Sequence, residues 1–395
     1  MEHAMNFVSI KSPILALLAI LLLTPGQSSY AEERIASHGE ISFDGDKVVL
    51  PLVARSMHPV VGIDLGDGEQ QRFIVDTGAS VNVIDSAIAK SQGYEVVGET
   101  EIGAPGGPQI RAAIVKVPVI HVGEVTIQDA EFVTMDLEKF TRGTTQGVLG
   151  LPLFREHLLT FDIGGGQLVV SHDSLTASEP GVVAYVSPDE QIQIDVDVAG
   201  TTITTHIDTG SMGEFTLPGD VADSLPVEVL KDSGMKARLV GGERDIQFGQ
   251  LDGTLGFAGL AYENPKVSFI TPSFGHGNIG SGVMRDLVVS VDQRKNLIAF
   301  QTPTRNSAAR ANNKPRRIGV QFHGMSGGSQ LTVAGVMPES LAAKAGLLAG
   351  DVLVALNGKP TENYDMSDLG ALFGGSEPLR FELEREGESK TIEIQ

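Results

Sequence analysis

The sequence contains no cysteine and no tryptophan among its 395 residues, and aromatic residues make up only 5% of it. Without thiols the chain cannot form disulfides, thiolate zinc sites or iron–sulfur clusters, and it has no cysteine nucleophile. Positive charge is also scarce, since 29 lysines and arginines face 50 aspartates and glutamates, for a formal net charge of -21. This deficit argues against nucleic-acid binding, because phosphate contacts need basic residues concentrated on one face.

The remaining composition is that of a globular protein. Hydrophobic residues make up 41% and charged residues 20% of the chain, which excludes wholesale disorder. Domains usually contain about 100–200 residues, so the length predicts about two to four domains. The 47 glycines and 19 prolines predict many turns.

The first 31 residues have the pattern of a signal peptide. Lys11 precedes an apolar run over residues 14–23, which is too short to span a bilayer comfortably. Residues 29–31, Ser-Tyr-Ala, fit the small-residue rule for cleavage, so we expect cleavage after Ala31 and no stable membrane span afterwards. An uncleaved anchor is the alternative, because the basic region is weak. Export without cysteine is ordinary in a bacterial periplasm, and we expect a periplasmic or secreted protein.

An internal repeat occupies the middle of the chain. The Asp-Thr-Gly sequence at Asp76 recurs at Asp208, 132 residues later, and each copy follows a predicted β-hairpin. A hydrophobic-Gly pair at Leu149 recurs at Ile279, 130 residues later. Three further pairs keep that offset: Arg155 with Arg285, Thr160 with Ser290, and Asp162 with Asp292. The last two aspartates each end a predicted strand, and we interpret them as turn formers.

Two carboxylates delivered by equivalent turns have a specific chemistry. If the repeats pack about a pseudo-twofold axis, Asp76 and Asp208 meet there, and two like charges at that distance cannot both ionise comfortably. One proton is then shared, which provides a base and an acid within reach of one water molecule. The base can deprotonate the water as it attacks a peptide carbonyl, while the acid hydrogen-bonds the carbonyl oxygen. Such a site needs no metal and no cofactor, and we expect none.

These paired motifs resemble those of the aspartic protease family, both pepsin-like and retropepsin-like. The resemblance implies that Asp76 and Asp208 are the catalytic dyad. The residues that it implies as support for the two turns are Thr77, Gly78, Thr209, Gly210 and Ser211. The residues that it implies as psi-loop segments packing against the turns are Leu149, Gly150, Ile279 and Gly280. Ala79 stands where the second turn has Ser211, as is common in the retropepsin-like pattern.

The resemblance also implies a mainly β, bilobal fold with a cleft covered by flaps. We expect the first lobe over residues 40–175 and the second over residues 180–302. Each lobe has its own glycine-rich tip, which favours a fused retropepsin dimer over a full pepsin, and dimerisation is then not required for catalysis. The predicted flap residues are Ala104, Pro105, Gly106, Gly107, Gly241 and Gly242. The first tip lacks the tyrosine typical of pepsin flaps, and the second tip is equally compatible with an ordinary surface turn.

The carboxyl-terminal part of the sequence predicts a linker over residues 303–317 and a small α/β domain over residues 318–395. In this domain we expect strands over residues 331–336 and 379–385, a first helix over residues 340–345 and a second helix near residues 367–373. Its motifs resemble the bacterial PDZ domain. The resemblance implies that a peptide adds a strand beside the first strand of this domain, with its carboxyl terminus held by backbone amides. The predicted peptide-binding residues are Ile318, Gly319, Val320, Phe322, Leu369 and Leu372. In the alternative, the groove is closed or the domain braces the protease lobes.

Two further sequence patterns are weaker evidence for a function. Residues 324–328 match the Gly-x-Ser-x-Gly motif of serine hydrolases, but a predicted strand follows where that motif requires a helix, so we expect a loop. The nine histidines show no metal-ligand spacing. His206, two residues before Asp208, is compatible both with tuning of the dyad and with a place in the core.

The sequence therefore predicts an exported aspartic endopeptidase, with a PDZ domain that recognises substrate or partner peptides. Its expected partners are protein or peptide substrates and peptide carboxyl termini, with no nucleic acid. The alternative is a catalytically silent peptide-binding or adaptor protein of the cell envelope, or more simply a structural tether there. Two intact Asp-Thr-Gly motifs argue against the silent alternative, because a binding cleft has no need of two mutually repelling carboxylates.

Overall fold

A computed structural model of the chain describes residues 15–16, 37–103, 109–141, 143–229, 235–239, 242–303, 316–323, 331–364, 369 and 372–395. Several predicted features lie outside these residues: the signal segment except for residues 15–16, most of the linker, and the Gly-x-Ser-x-Gly segment. Among the residues described, no helix combines the length and the apolar character needed to cross a bilayer.

The described elements are mainly strands. In chain order the strands are β1 Leu15–Ala16, β2 Glu40–Ser42, β3 Lys47–Pro51, β4 Val60–Asp64, β5 Gln70–Asp76, β6 Asn82–Asp85, β7 Glu95–Ile102, β8 Ile110–Val122, β9 Val125–Met135, β10 Gly147–Gly150, β11 Leu158–Asp162, β12 Gln167–Ser171, β13 Val182–Ala184, β14 Gln193–Val198, β15 Thr201–Asp208, β16 Phe215–Pro218, β17 Val227–Val229, β18 Lys236–Leu239, β19 Gly242–Leu251, β20 Thr254–Phe257, β21 Leu260–Glu263, β22 Lys266–Thr271, β23 Gly277–Gly280, β24 Val288–Asp292, β25 Leu297–Gln301, β26 Val320–His323, β27 Leu331–Val336, β28 Val352–Leu356, β29 Lys359–Pro360, β30 Leu379–Arg385 and β31 Glu388–Ile394. The α-helices are α1 Ser86–Ser91, α2 Glu138–Thr141, α3 Ser281–Met284 and α4 Leu341–Ala345, and the 3-10 helices are Leu151–Phe154, Pro188–Glu190, Gly219–Ser224 and Thr361–Asn363.

The two repeats form two β lobes of matching design. The first lobe is an eight-stranded sheet in the order β2-β9-β6-β10-β5-β4-β8-β7, and the second lobe has the order β18-β19-β22-β16-β23-β15-β14-β20-β21, with β1 and β17 at its margin. In each lobe the strand that ends in the Asp-Thr-Gly aspartate pairs in parallel with the strand that carries the hydrophobic-Gly motif. The mainly β, two-lobed fold expected from the sequence is confirmed.

The hairpins that lead into the Asp-Thr-Gly turns follow from local turn chemistry. Between β4 and β5 the Asp64 carboxylate accepts hydrogen bonds from the amides of Gly66 (2.8 Å) and Gly68 (2.9 Å). Both glycines have positive φ, 98° and 81°, a conformation that side chains disfavour. After this tight reversal, β5 is exposed at its start and buried over its last four residues, which carries Asp76 into the interior.

A third sheet joins the lobes, in the order β13-β25-β24-β11-β12-β3. At its centre β11 of the first lobe pairs antiparallel with β24 of the second, and Thr160 faces Ser290, its equivalent in the repeat. The two hydroxyl oxygens lie 2.8 Å apart. Because equivalent residues of an antiparallel pair face each other only across a twofold axis, the pseudo-twofold axis of the molecule passes between them.

The strand-end aspartates of this sheet differ from each other. Asp162 accepts a hydrogen bond from the Gly165 amide (2.8 Å), as expected of a turn former. Asp292 is fully buried and accepts hydrogen bonds from Ser174 Oγ (2.8 Å), Leu175 N (3.0 Å) and Arg294 Nε (2.9 Å). Burial raises the pKa of Asp292, but these donors outweigh it, and the pKa lies below its usual range. The interpretation of Asp292 as only a turn former was incomplete, since its burial among partners distant in sequence was not predictable locally.

The carboxyl-terminal domain has its own sheet and core. Its sheet has the order β26-β27-β28-β30-β31 with β29 beside β28, and its buried residues form a cluster separate from that of the lobes. Helix α4 begins at the cap Ser340, whose hydroxyl accepts a hydrogen bond from the Ala343 amide (3.1 Å), and ends at Gly346 in the left-handed conformation (φ 89°). Leu369 and residues 372–374 are helical, within the second predicted helix of this domain.

This domain also contacts the second lobe. Arg317 Nη1 lies 3.0 Å from a carboxylate oxygen of Glu214, and Lys266 Nζ lies 2.7 Å from Glu339. Met337 packs against an apolar cluster of the second lobe that includes Ala237 of β18. Contacts of the kind that the bracing alternative predicts are therefore present, and that of Met337 involves β18 and β19.

Candidate active site

The site forms where the two Asp-Thr-Gly turns meet at the pseudo-twofold axis. Asp76 is the last residue of β5 and pairs with Gly150 of β10, and Asp208 is the last residue of β15 and pairs with Gly280 of β23. Both aspartates are almost completely buried, with 2% and 0% of their surface exposed. Each aspartate therefore occupies the same position in the sheet of its own lobe.

Threonine hydroxyls tie the two turns together reciprocally. Thr77 Oγ1 donates to the carbonyl of Ile207 (2.7 Å) and accepts from the amide of Thr209 (3.0 Å). Thr209 Oγ1 donates to the carbonyl of Val75 (2.7 Å) and accepts from the amide of Thr77 (2.9 Å). Each hydroxyl thus satisfies two buried backbone groups of the opposite lobe, which holds the turns in a defined relative position.

Backbone amides hold the two carboxyls in place. Asp76 Oδ1 accepts hydrogen bonds from the amides of Gly78 (2.8 Å) and Gly210 (3.0 Å). Asp208 Oδ1 accepts one from the amide of Ser211 (3.1 Å). The amide of Gly210 therefore reaches across the axis to the carboxyl of the other lobe. These backbone amides orient both carboxyls.

The two turn glycines are required by this close approach. A Cβ atom placed on Gly78 would lie 2.7 Å from Asp208 Oδ1 and 3.2 Å from Asp76 Oδ1. A Cβ atom on Gly210 would overlap the Asp76 carboxyl. Since carbon and oxygen do not approach so closely without repulsion, only glycine leaves room for both carboxyls. The position of Gly78 between them also shows that the two carboxyls face each other.

The two carboxyls share a perturbed protonation equilibrium. Burial, and then the negative charge of Asp208, raise the pKa of Asp76 well above its usual range. Burial also raises the pKa of Asp208, but there hydrogen-bond donors, first the side chain of Asn278, oppose the shift. The negative charge of one carboxyl disfavours ionisation of the other, and the Asn278 donor favours the charged form of Asp208. The pair therefore provides an acid and a base side by side.

The hydrophobic-Gly segments pack directly behind the turns. Leu149 and Ile279 are buried in the main core of the lobes. The Gly150 amide donates to Asn82 Oδ1 (3.0 Å), and the Gly280 amide donates to the carbonyl of Glu214 (3.0 Å). All four predicted psi-loop residues thus lie where they contact the turns.

Asn278 and Asn82 are site residues that the sequence reasoning missed. Asn278 Nδ2 donates to Asp208 Oδ2 (3.0 Å), whereas its equivalent in the first repeat is Val148. The signal was available, because the aligned hydrophobic-Gly segments differ at this position. Asn82 is fully buried and links Gly150 to the carbonyl of Glu131 (3.3 Å). It follows the first turn at a position for which the sequence contained no comparable signal.

His206 lies in the core next to the dyad strand. It is fully buried, and its ring packs edge-on against His276 with the centroids 5.9 Å apart. Burial lowers the pKa of His206 to about 3, so the ring is neutral at ordinary pH. Both interpretations of His206 thus have a structural basis: it belongs to the core, and it neighbours the residues that contact Asp208.

The two predicted flaps correspond to two hairpins whose tips lie outside the described residues. In the first lobe β7 and β8 pair up to Ile102 and Ile110, and Ala104, Pro105, Gly106 and Gly107 follow outside that range. In the second lobe β18 and β19 pair up to Leu239 and Gly242. Gly241 also lies outside the description, whereas Gly242 begins β19. The flap assignment remains a prediction.

The predicted peptide-binding residues of the carboxyl-terminal domain cluster along β26 and the facing helical residues. Ile318, Phe322 and Leu369 are buried in the core of this domain, and Val320 and Leu372 pack against it. Gly319 has a positive φ of 73°, and its carbonyl accepts a hydrogen bond from the Met337 amide (2.8 Å). Among the described strands β26 pairs with β27, so it lies at the end of the sheet order.

The chain matches two known protein families. Residues 61–153 match the aspartyl protease family, and residues 332–385 match the PDZ domain family. No curated protein matches the chain significantly. The first match covers the turn of Asp76 and its hydrophobic-Gly partner, and the second covers most of the carboxyl-terminal domain. The predicted combination of an aspartyl protease domain with a PDZ domain is thereby confirmed. No group of three or more histidine, aspartate or glutamate side chains in the described part of the chain is arranged to hold a metal ion.

Proposed function

We propose that this chain is an aspartic endopeptidase with retropepsin-like lobes, in which Asp76 and Asp208 activate a water molecule for peptide hydrolysis. The observation that carries the proposal is the facing pair of buried carboxyls, held by backbone amides on both sides of the pseudo-twofold axis. A plain β-turn needs neither the burial nor the second carboxyl. Aspartates that repel each other in the interior lower stability, so a function is the simplest reason to keep them.

The reaction follows from the protonation of the pair. Ionised Asp208 takes a proton from a water molecule while the water oxygen bonds to the peptide carbonyl carbon. Asp76 donates its proton in a hydrogen bond to the carbonyl oxygen and stabilises the charge that develops there. Collapse of the tetrahedral intermediate breaks the carbon–nitrogen bond, and the leaving amine takes the proton held by Asp208. The products are a carboxylic acid and an amine, with no covalent enzyme intermediate.

The retropepsin-like assignment rests on the equivalence of the two lobes. Each lobe has its own Asp-Thr-Gly turn, hydrophobic-Gly segment and hairpin in the flap position. Because both aspartates come from one chain, catalysis does not require a second copy. The proposed domains are the lobes at residues 40–175 and 180–302, the linker at 303–317 and the PDZ domain at 318–395.

The PDZ domain is proposed to bind substrate or partner peptides. The place of β26 at the end of the described sheet supports this role, because an extended peptide can add a strand at a sheet edge. Its carboxyl terminus would lie against the amides near Ile318 and Gly319. The cysteine-free sequence and the signal pattern of residues 1–31 support an exported protein of the periplasm or cell surroundings.

A peptide-library digest tests the proposal. The purified protein is incubated with mixed peptides from about pH 3 to 8, alongside Asp76→Asn and Asp208→Asn. Both variants are expected to lose cleavage by at least about 100-fold while the wild type cleaves internal bonds. Asp195→Asn is the matched control, because Asp195 is an exposed aspartate of the neighbouring strand β14. Folded wild-type protein that cleaves nothing at any pH would favour the silent adaptor instead.

A further inference from the structure

The two lobes differ in one row of residues that crosses the sheet beside each aspartate. The first residue of the row lies two positions before the aspartate in the chain. The other three residues lie on the next three strands of the sheet, and each is paired directly with the residue before it in the row. In the first lobe it consists of Ile74, Val148, Val83 and Val133. In the second lobe it consists of His206, Asn278, Thr216 and Ser268. One row is wholly apolar and the other wholly polar, although the backbones are equivalent.

The polar row reaches the dyad through a single side chain. Asn278 Nδ2 lies 3.0 Å from Asp208 Oδ2. The equivalent Val148 is buried in an apolar cluster of the first lobe and offers no donor to Asp76. An N–H donor stabilises a carboxylate more than a neutral carboxyl, because a hydrogen bond to a charged acceptor is about twice as strong. The second lobe therefore has a side-chain donor that favours the charged form of its aspartate, and the first lobe has no donor at the equivalent position.

The other groups around Asp208 leave this preference in place. His206 on β15 and His276 before β23 have pKa values lowered by burial, so both are neutral at ordinary pH. His58, whose ring Nδ1 lies 3.4 Å from the Thr209 carbonyl, also has a pKa lowered by burial, to about 4. The cations on this side, Arg285 and Arg317, act on His58. Among the residues that the structure describes, the other ionisable group that acts on Asp208 is Asp76.

We infer that Asn278 is a positioning residue that assigns the negative charge to Asp208 and the proton to Asp76, so that the two equivalent turns have different, fixed roles. The inference rests on the proposed function, which it deepens by naming the base and the acid. With the backbone symmetry unbroken, the shared proton would distribute over both carboxyls. The reaction requires that the protonated carboxyl is the one that contacts the substrate carbonyl oxygen. Fixing the proton on Asp76 therefore keeps every molecule in the reactive form.

The test exchanges the two equivalent residues. Asn278→Val gives the second lobe the residue that the first lobe has at this position, and Val148→Asn places an amide side chain beside Asp76. In the full-length protein, kcat/KM for a cleaved peptide is measured against pH for the wild type and for each variant. In this pH profile the acid limb is the range in which kcat/KM rises with pH. Asn278→Val is expected to raise the pKa of the acid limb by about one to two pH units, because the donor to ionised Asp208 is lost. The double variant, which moves the amide to the other aspartate, is expected to move the acid limb back towards its wild-type position.

Melting temperature against pH provides a second readout that does not depend on cleavage. A carboxyl whose pKa is raised in the folded state contributes stability that is complete at low pH and is lost as pH rises through that pKa. Asn278→Val raises the pKa of Asp208 further, so its melting temperature should fall below the wild type progressively between about pH 4 and 8. A merely structural role for Asn278 would produce the same offset at every pH.

The outcomes separate this inference from the proposed function. If the melting temperature of Asn278→Val falls more steeply with pH than that of the wild type, the inference is supported even when no peptide is cleaved. Absence of cleavage by itself refutes only the proposed protease activity. An offset independent of pH overturns the inference. So does an acid limb that moves to lower pH, because Asn278 would then present its carbonyl oxygen to a protonated Asp208. Asn278 Oδ1 is buried without a partner among the described residues, so valine removes no other hydrogen bond of this side chain.

Discussion

The reciprocal threonine hydroxyls lead to a prediction about stability that is independent of catalysis. Thr77→Val keeps the size and branching of the side chain but removes the hydroxyl. The carbonyl of Ile207 and the amide of Thr209 then lose their partner in the interior. An unsatisfied buried backbone group costs about 1 to 3 kcal/mol, so the two together lower the free energy of unfolding by about 2 to 5 kcal/mol. Thr209→Val is expected to have a similar effect, because its hydroxyl satisfies the carbonyl of Val75 and the amide of Thr77.

Urea denaturation followed by circular dichroism measures this change as a lower midpoint at unchanged slope. Thr160→Val is the matched control, because its hydroxyl also lies on the pseudo-twofold axis but is half-buried and bonds only to the Ser290 hydroxyl. Water can replace that bond, so the control should cost about 1 kcal/mol or less. If Thr77→Val costs no more than Thr160→Val, the hydroxyls of the turns do not hold the lobes together in the way argued above.

Three more predictions concern the dyad and the PDZ domain. Gly78→Ala is expected to reduce kcat/KM at least about 100-fold with an unchanged circular dichroism spectrum, because its Cβ would lie 2.7 Å from Asp208 Oδ1; normal activity would contradict the close approach. Asp76→Asn is expected to raise the melting temperature at pH 7 more than at pH 4, since asparagine imitates the protonated carboxyl without the proton uptake that folding requires of Asp76 above the pKa of unfolded aspartate; an equal change at both pH values would contradict the raised pKa. Arg385→Met is expected to destabilise the PDZ domain by about 3 to 5 kcal/mol in thermal unfolding, because buried Asp351 loses its contacts to Arg385 Nε (2.6 Å) and Nη2 (2.7 Å); a loss below about 1 kcal/mol would contradict their importance.

The PDZ domain lies against the second lobe. Met337 packs against the cluster at the base of the β18 and β19 hairpin, and the ion pair between Lys266 and Glu339 lies on the same side. Such exposed ion pairs contribute little free energy, about 0 to 1 kcal/mol, so the apolar contact of Met337 is the main anchor. A peptide bound at β26 would therefore lie on a domain that touches the hairpin in the second flap position.

Local sequence was sufficient for much of the fold. Apolar stretches around a glycine turn predicted the hairpin of β4 and β5. The sequence also predicts a short helical segment over residues 86–91 after the first Asp-Thr-Gly turn, and helix α1 spans Ser86–Ser91. The internal repeat predicted two equivalent aspartates, because two copies of one motif at a constant offset fold in the same way. The PDZ strands β27 and β30 also have their expected bounds, since their patterns are short, alternating and flanked by turns.

What the sequence by itself determined, then, is the presence of two Asp-Thr-Gly lobes and a PDZ domain, since these depend on patterns within a few residues. Tertiary structure alone decided which of two equivalent aspartates carries the charge. That choice depends on Asn278, which lies 70 residues from Asp208 in the chain and 3.0 Å from it in space. It also decided that Asp292 joins Ser174 and Leu175 in the interior instead of only ending a strand. Periodicity reports which face of a strand is buried, but the partner of a buried polar group is set by strands that meet only after folding.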